Sequence, residues 1–250
     1  MQTLSLILLL SISFLSAIMG TMVGMAMLVM LPVMIFLGIP VHTAVATGRF
    51  SMVGINIGNI GKFSKRQKIE MKYVLPFALA GIVGSLFGAL YMVRINEDIL
   101  KKVIGIFIIV VSLFVLLEDF LKLRAKKTKI SHKHHILSVV AGFFIGSYIG
   151  IIGGGGATIV IFLLILIYGL SFHEAVANQK AVTLPISIIA TLVFMYQGII
   201  DYKLGIPLFI VNVIGGWVGA SLIVKFKAIW LKRILVPISV LLALRLMGIL

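Results

Sequence analysis

Thirty-four consecutive residues, Leu4 to Leu37, carry no charge, and the same is true of Ile136 to Gly169. As a straight helix either stretch would run about 51 Å, against a hydrocarbon core of about 30 Å. Both are interrupted, the first by Gly20, Gly24 and Pro32, the second by Gly146, Gly150 and the run Gly153–Gly156. Each is expected to break and fold back like a hairpin, either crossing a bilayer twice or re-entering it. Tyr73–Val93, Ala181–Ile200 and Leu204–Val224 are also long, apolar and uncharged, as a membrane-spanning helix requires. The chain is 61% hydrophobic and 12% charged, where soluble domains sit near half and a quarter. Short alternating segments of the kind that build β-barrels are absent. An all-α, multi-pass membrane protein follows, with the lipid bilayer as its first partner.

An internal repeat organises the chain. With an offset of 131 residues, Gly38 falls on Gly169, His42 on His173, Ala44–Ala46 on Ala175–Ala177, and Arg49 on Lys180. Lys72 and Pro76 fall on Lys203 and Pro207, and Gly84, Gly88 and Ala89 on Gly215, Gly219 and Ala220. One unbroken register over this distance predicts two homologous halves. Residues 1–122 form a first membrane repeat and 136–250 a second, joined by a basic linker at 123–135. Each half holds four hydrophobic segments, eight in all, the first of each half being the long broken one.

Charge sets the orientation. Net charge is +15, from 22 Lys and Arg against seven Asp and Glu. In a membrane protein this excess belongs in cytoplasmic loops, not on nucleic acid. If both long segments return to the side they left, the basic loops Lys62–Lys72, Lys122–Lys133 and Lys225–Arg233 share one side. They hold fifteen cations against four in Arg94–Lys102 and at Lys203. If each long segment crosses once, the split is only twelve to seven. The first arrangement puts equivalent loops on opposite faces, which is an inverted repeat.

Within this apolar chain, "ATGR" and "ANQK" place Arg49 and Lys180 at matching positions. Each lies about seven residues into a helix that starts near His42 or His173, so about 10 Å deep. A cation there costs a few kcal/mol unless it is answered. The seven acidic residues sit at loops and span ends, and Glu174 lies six residues from Lys180. A pair of cations without carboxylates is suited to an anion, the alternative being that both snorkel to the interface. Thr47, Asn178 and Gln179 add hydrogen-bond donors without negative charge. Gly153, Gly154, Gly155 and Gly156 precede a half-helix whose free N–H groups also favour an anion. Close helix packing is the other use of glycine, and for Gly84, Gly88, Gly215 and Gly219 it is the expected one.

His42 and His173 are candidates for pH-sensitive groups at the mouths of such a site, or simply polar helix ends. "SHKHH", Ser131–His135, sits among lysines that repel cations, so no metal site is expected. No cofactor is implied. A P-loop is absent, and there is no cysteine for thiol chemistry. "GAS" at Gly219–Ser221 lacks the following glycine and any later histidine that an intramembrane serine protease would use. The chain therefore does not read as an enzyme.

These motifs together resemble the sulfite exporter TauE/SafE family. The features shared are two halves, each with a glycine-interrupted first segment, an Ala-x-Ala-(Thr/Asn) stretch and a later Gly-x-x-x-Gly-Ala helix. The most specific part is Gly142–Val182. In the first half the triple-glycine motif has become "GMAMLVMLP", Gly24–Pro32. The resemblance implies an integral plasma-membrane protein, with transport of sulfite, organosulfonates or related anions as its activity. The resulting expectation is a secondary transporter, an exporter, of a small oxyanion. Arg49 and Lys180 would neutralise it, and Thr47, Asn178, Gln179 and Gly153–Gly156 would ligate it. A cation or metal permease and a non-transporting membrane scaffold are the alternatives. The sequence leaves the oligomeric state open, a homo-oligomer included.

Overall fold

A computed structural model of the chain describes residues 3–66, 69–121, 131–222 and 228–250. Residues 122–130 of the basic linker lie outside them. So do 67–68 and 223–227 of the other two basic loops. Among the described residues there are ten helices and no strand. They are α1 (Thr3–Val23), α2 (Ala26–Phe36), α3 (Val41–Arg66), α4 (Met71–Met92), α5 (Glu97–Leu121), α6 (His132–Ile151), α7 (Gly156–Tyr168), α8 (Phe172–Tyr196), α9 (Tyr202–Leu222) and α10 (Ala228–Leu246). Helices are the expected solution, because backbone groups in lipid must pair within their own segment. Among the described residues five helices are long and apolar enough to cross a membrane: Leu4–Met22, Met71–Met92, His132–Ile151, Glu174–Tyr196 and Tyr202–Leu222.

Ten helices arise because each long charge-free segment is split. The first breaks at Gly24, where φ is +84°, and the second at Gly153 and Gly155, where φ is +76° and +75°. Only glycine adopts this region without strain. Gly24 and Gly155 are related by the 131-residue offset, so the same left-handed break recurs. The offset also carries through the other helices: α3, α4 and α5 begin at 41, 71 and 97, and α8, α9 and α10 at 172, 202 and 228. The return limbs are short. α2 has 11 residues and α7 has 13, about 16 and 20 Å.

Each broken segment comes back to the end it left. At one end of the bundle Leu6 of α1, Leu37 after α2, Thr43 of α3 and Asp201 and Lys203 at the start of α9 line a common pocket of about 460 Å³. At another, Ser138 of α6 donates to the hydroxyl of Tyr168 at the end of α7 at 2.7 Å, and that ring lies 4.7 Å from Tyr73 of α4.

Helix packing runs through glycine. A Cβ on Gly142, Gly146 or Gly150 of α6 would strike the carbonyls of Phe77, Gly81 and Ser85 on α4. The partner rises by four residues at each step, so the two helices run parallel at near-backbone distance. Gly84 and Gly88 answer from α4 against Phe143 and Ser147. In the same way Gly215 and Gly219 of α9 sit against Phe14, Ala17, Ile18 and Thr21 of α1. Lipid-exposed faces are apolar, as at Leu79, Val83, Phe87, Ile210, Ile214 and Trp217. The interior instead holds polar side chains, among them Ser13, Thr47, Arg49, Asn59, Asn178, Gln179, Lys180 and Asn212. That distribution suits hydrocarbon outside and a polar interior inside.

Gly146→Val would force a branched side chain against the Gly81 carbonyl. A cost of about 2–3 kcal/mol is expected from overpacking. The check is a lowered melting temperature in detergent, and an unchanged one would mean that α4 and α6 pack less closely than described.

Candidate functional site

α3 and α8 each present one stripe of side chains toward the middle of the bundle. Arg49, Met52 and Asn56 on α3 and Lys180, Thr183 and Ser187 on α8 follow the i, i+3, i+7 spacing of a single helix face. All six line one cavity of about 60 Å³, together with Gln179 and the broken segments at Gly24, Ala26, Gly153 and Ala157. That is room for a few waters or one small ion. The lining itself follows the repeat. Arg49 corresponds to Lys180, Met52 to Thr183, Asn56 to Ser187 and Ala26 to Ala157, so the cavity lies where the two halves meet.

Arg49 and Lys180 are each only 4% exposed. Arg49 reaches across to the other half, where Nη2 donates to the Ile149 carbonyl at 2.7 Å. Ile149 is in the last turn of α6, whose final carbonyls have no partner within the helix. A cation there meets the negative end of the helix dipole. Its Nε is buried without a hydrogen-bond partner. Among the described residues Arg49 forms no ion pair with a carboxylate. Gly153 makes this pose available. A Cβ at that position would coincide with the guanidinium, and φ is +76° as well. Gly153 thus admits a close approach, and the group that approaches is Arg49.

The remaining glycines have separate tasks. The Gly154 carbonyl accepts a hydrogen bond from the Tyr148 hydroxyl. Gly155 caps α7 in a left-handed conformation with Val111 against it, and Gly156 opens α7 beside Ile149. Ala157 in the first turn of α7 and Ala26 in the first turn of α2 both border the cavity. Two helix N-termini, each with unsatisfied N–H groups and a partial positive charge, thus adjoin the two cations.

Gln179 lines the cavity, and its amide donates to Thr183 Oγ1 at 2.7 Å while its own Oε1 is buried without a partner. Thr47 and Asn178 do not line it. Thr47 Oγ1 accepts from the backbone N–H of Asp201 at 3.0 Å, and Asn178 Oδ1 accepts from that of Glu70 at 2.9 Å. Thr47 matches Asn178 and Glu70 matches Asp201 under the 131-residue offset. Each side chain therefore holds the N-terminus of a helix in the other half, α9 or α4. His42 lies elsewhere too, at the α3 start, with Nε2 3.0 Å from the Ile95 carbonyl and Nδ1 3.6 Å from Glu97. The His173 side chain lies outside the described residues. Residue-by-residue reading missed Met52, Asn56, Thr183 and Ser187. The signal available was their helical spacing from the two cations.

The sequence profile of the family described as "Sulfite exporter TauE/SafE" matches residues 9–246. Relatives include "Probable membrane transporter protein ORF9" of Sinorhizobium sp, 24% identical over 94% of this chain and 90% of the relative. "Probable membrane transporter protein YdhB" of Bacillus subtilis is 25% identical over 73% of this chain and 75% of its own. "Probable membrane transporter protein YfcA" of Escherichia coli is 21% identical over 94% and 87%. No solved structure matches the chain.

Thr47→Val and Asn178→Leu each remove a hydrogen bond between the halves at a buried site. About 1–2 kcal/mol of stability should be lost from each, with Thr47→Ser close to wild type. Melting in detergent measures this. Equal stability for Thr47→Val and Thr47→Ser would show that the hydroxyl carries nothing.

Proposed function

The chain belongs to the sulfite exporter TauE/SafE family, and from that premise we propose that it is a secondary transporter carrying a small oxyanion out across the plasma membrane. The observation that carries this reading is the meeting of four positive groups at one cavity. Arg49 and Lys180 face it from α3 and α8, and the first turns of α2 and α7 border it. Oxyanions are held by such combinations of cations and helix N-termini. Gln179 and Thr183 supply further polar contact, and Met27, Met52 and Ile55 close the remaining wall. Sulfite or an organosulfonate is the substrate that the family's description suggests. A cation permease would need grouped oxygen or imidazole ligands, and no cluster of three His, Asp or Glu occurs among the described residues.

Transport would follow from the two halves having inverted orientation. The starts of α1, α3 and α9 share one end and those of α4 and α6 share another. α3, with 26 residues, is about 39 Å long and separates its own start from that of α4. The cavity lies between these ends, which supports the reading because inverted-repeat transporters hold substrate near the midplane. With no ATP motif, the driving force is the membrane potential or an ion gradient. A potential negative inside favours anion export by about 2.3 kcal/mol per charge per 100 mV.

Radiolabelled sulfite uptake into proteoliposomes tests the reading. Wild type should take it up, and Arg49→Ala and Lys180→Ala should each abolish saturable uptake while remaining folded. Uptake retained in both variants would discard the site but keep the transporter. A folded wild type inert toward sulfite and small sulfonates would discard the transporter.

A further inference from the structure

The two ends of the bundle carry equivalent positions but differ in what fills them. At the α9 start, Leu37 and Leu204 face the pocket of about 460 Å³. The 131-residue offset turns Leu37 into Tyr168 and Leu204 into Tyr73. There the two rings pack 4.7 Å apart and are 1% and 4% exposed. Ser138 donates to the Tyr168 hydroxyl at 2.7 Å, where the first half has Ile7. The His134 ring stacks on Tyr168 at 6.2 Å, and Lys72 lies 4.8 Å over Tyr73. At one end, then, there is open volume; at the other, the same place holds two interlocked aromatic rings with a buried hydroxyl satisfied.

The geometry points to Tyr73 and Tyr168 as a gate that closes the central cavity at the α4 end, leaving the α9 end as the access side. The pair joins two elements that transport would separate. Tyr168 ends the return limb α7, whose first turn borders the cavity, and Tyr73 opens α4, which is held to α8 by the Glu70–Asn178 bond. Removing the rings frees α7 from α4 without touching the cavity. Because the α9 end already folds with leucine at both equivalent positions, Tyr168→Leu and Tyr73→Leu copy a packing that this chain tolerates.

The gate extends the transport reading, but its test does not require transport. The chain has no cysteine, so Ser187→Cys places a single thiol in the cavity wall with little change in shape. Membrane-impermeant thiosulfonate is applied to oriented vesicles from one face or the other. The parent should label faster from the α9 face. Tyr168→Leu and Tyr73→Leu should raise labelling from the α4 face about tenfold. Leu37→Tyr, which places a ring in the open pocket, should slow labelling from the α9 face. Equal labelling from both faces in the parent overturns the gate, as does α4-face labelling that neither Tyr→Leu variant changes. If the labelling pattern appears but sulfite is never carried, the gate stands and the oxyanion reading falls.

Discussion

A guanidinium buried inside an apolar bundle is the constraint around which the interior is arranged. An unanswered charge at membrane depth costs about 3 kcal/mol on insertion scales. One hydrogen bond from the charge to the Ile149 carbonyl offsets about 1.5–3 of this, and the α6 dipole contributes about 0.3–1 more. The charge is therefore held, yet four of its five donors are not served by that carbonyl, and Nε is unpartnered. For the carbonyl to be available α6 must end at Ile151, and for the guanidinium to reach it position 153 must lack a side chain. The break in the second long segment, the glycine run and the position of α3 are thus consequences of one another.

The same logic ties the halves together. The first N–H groups of a helix have no partner within it and need acceptors from elsewhere. Here α4 and α9 obtain an acceptor from the opposite half, at Asn178 and Thr47. Glycine faces then bring α4 onto α6 and α9 onto α1 at backbone contact. Neither half can be completed alone, because each provides the acceptor and the packing surface that the other lacks. Under the transport reading, relative movement of the halves must turn about these bonds or break them, so they define which motions are cheap.

Much of this was legible in the sequence, and the rest was not for definable reasons. Charge-free segments too long for one crossing, punctuated by glycine, required a break, and the chain breaks at Gly24 and Gly153–Gly155. The offset that aligned Arg49 with Lys180 also aligned the residues that share the cavity with them. Thr47 and Asn178 were read as donors to a ligand because they stand beside the cations in the chain. On a helix, residues two apart point about 160° apart, and these two face the opposite half instead. Their partners are 154 and 108 residues away, a pairing that no local pattern encodes. Gly153 was read as one of the groups that ligate an anion, and nothing in a run of four glycines says that an arginine from another helix will lie against it.

Departures from the repeat carry as much information as the repeat. Under the transport reading, two identical halves in opposite orientation would make the two access states mirror images of equal energy, and a gradient alone would decide between them. Here the halves differ at the cavity, where Gly48, Met52 and Asn56 oppose Gln179, Thr183 and Ser187. They differ again at the ends, where Leu37 and Leu204 oppose Tyr168 and Tyr73. The polar contacts gather on α8, whose cation is a compact ammonium, while α3 contributes a planar guanidinium pinned to α6. An off-symmetry difference of only about 1.4 kcal/mol places the two states about 10:1, and the extra buried aromatic surface at the α4 end is large enough to supply it. The first half has a cation and a break, but beyond Arg49 only Asn56 of its stripe is polar. Under the oxyanion reading proposed above, this is a division of labour, with α3 and the α6 terminus setting the electrostatics and α8 supplying most of the polar contacts.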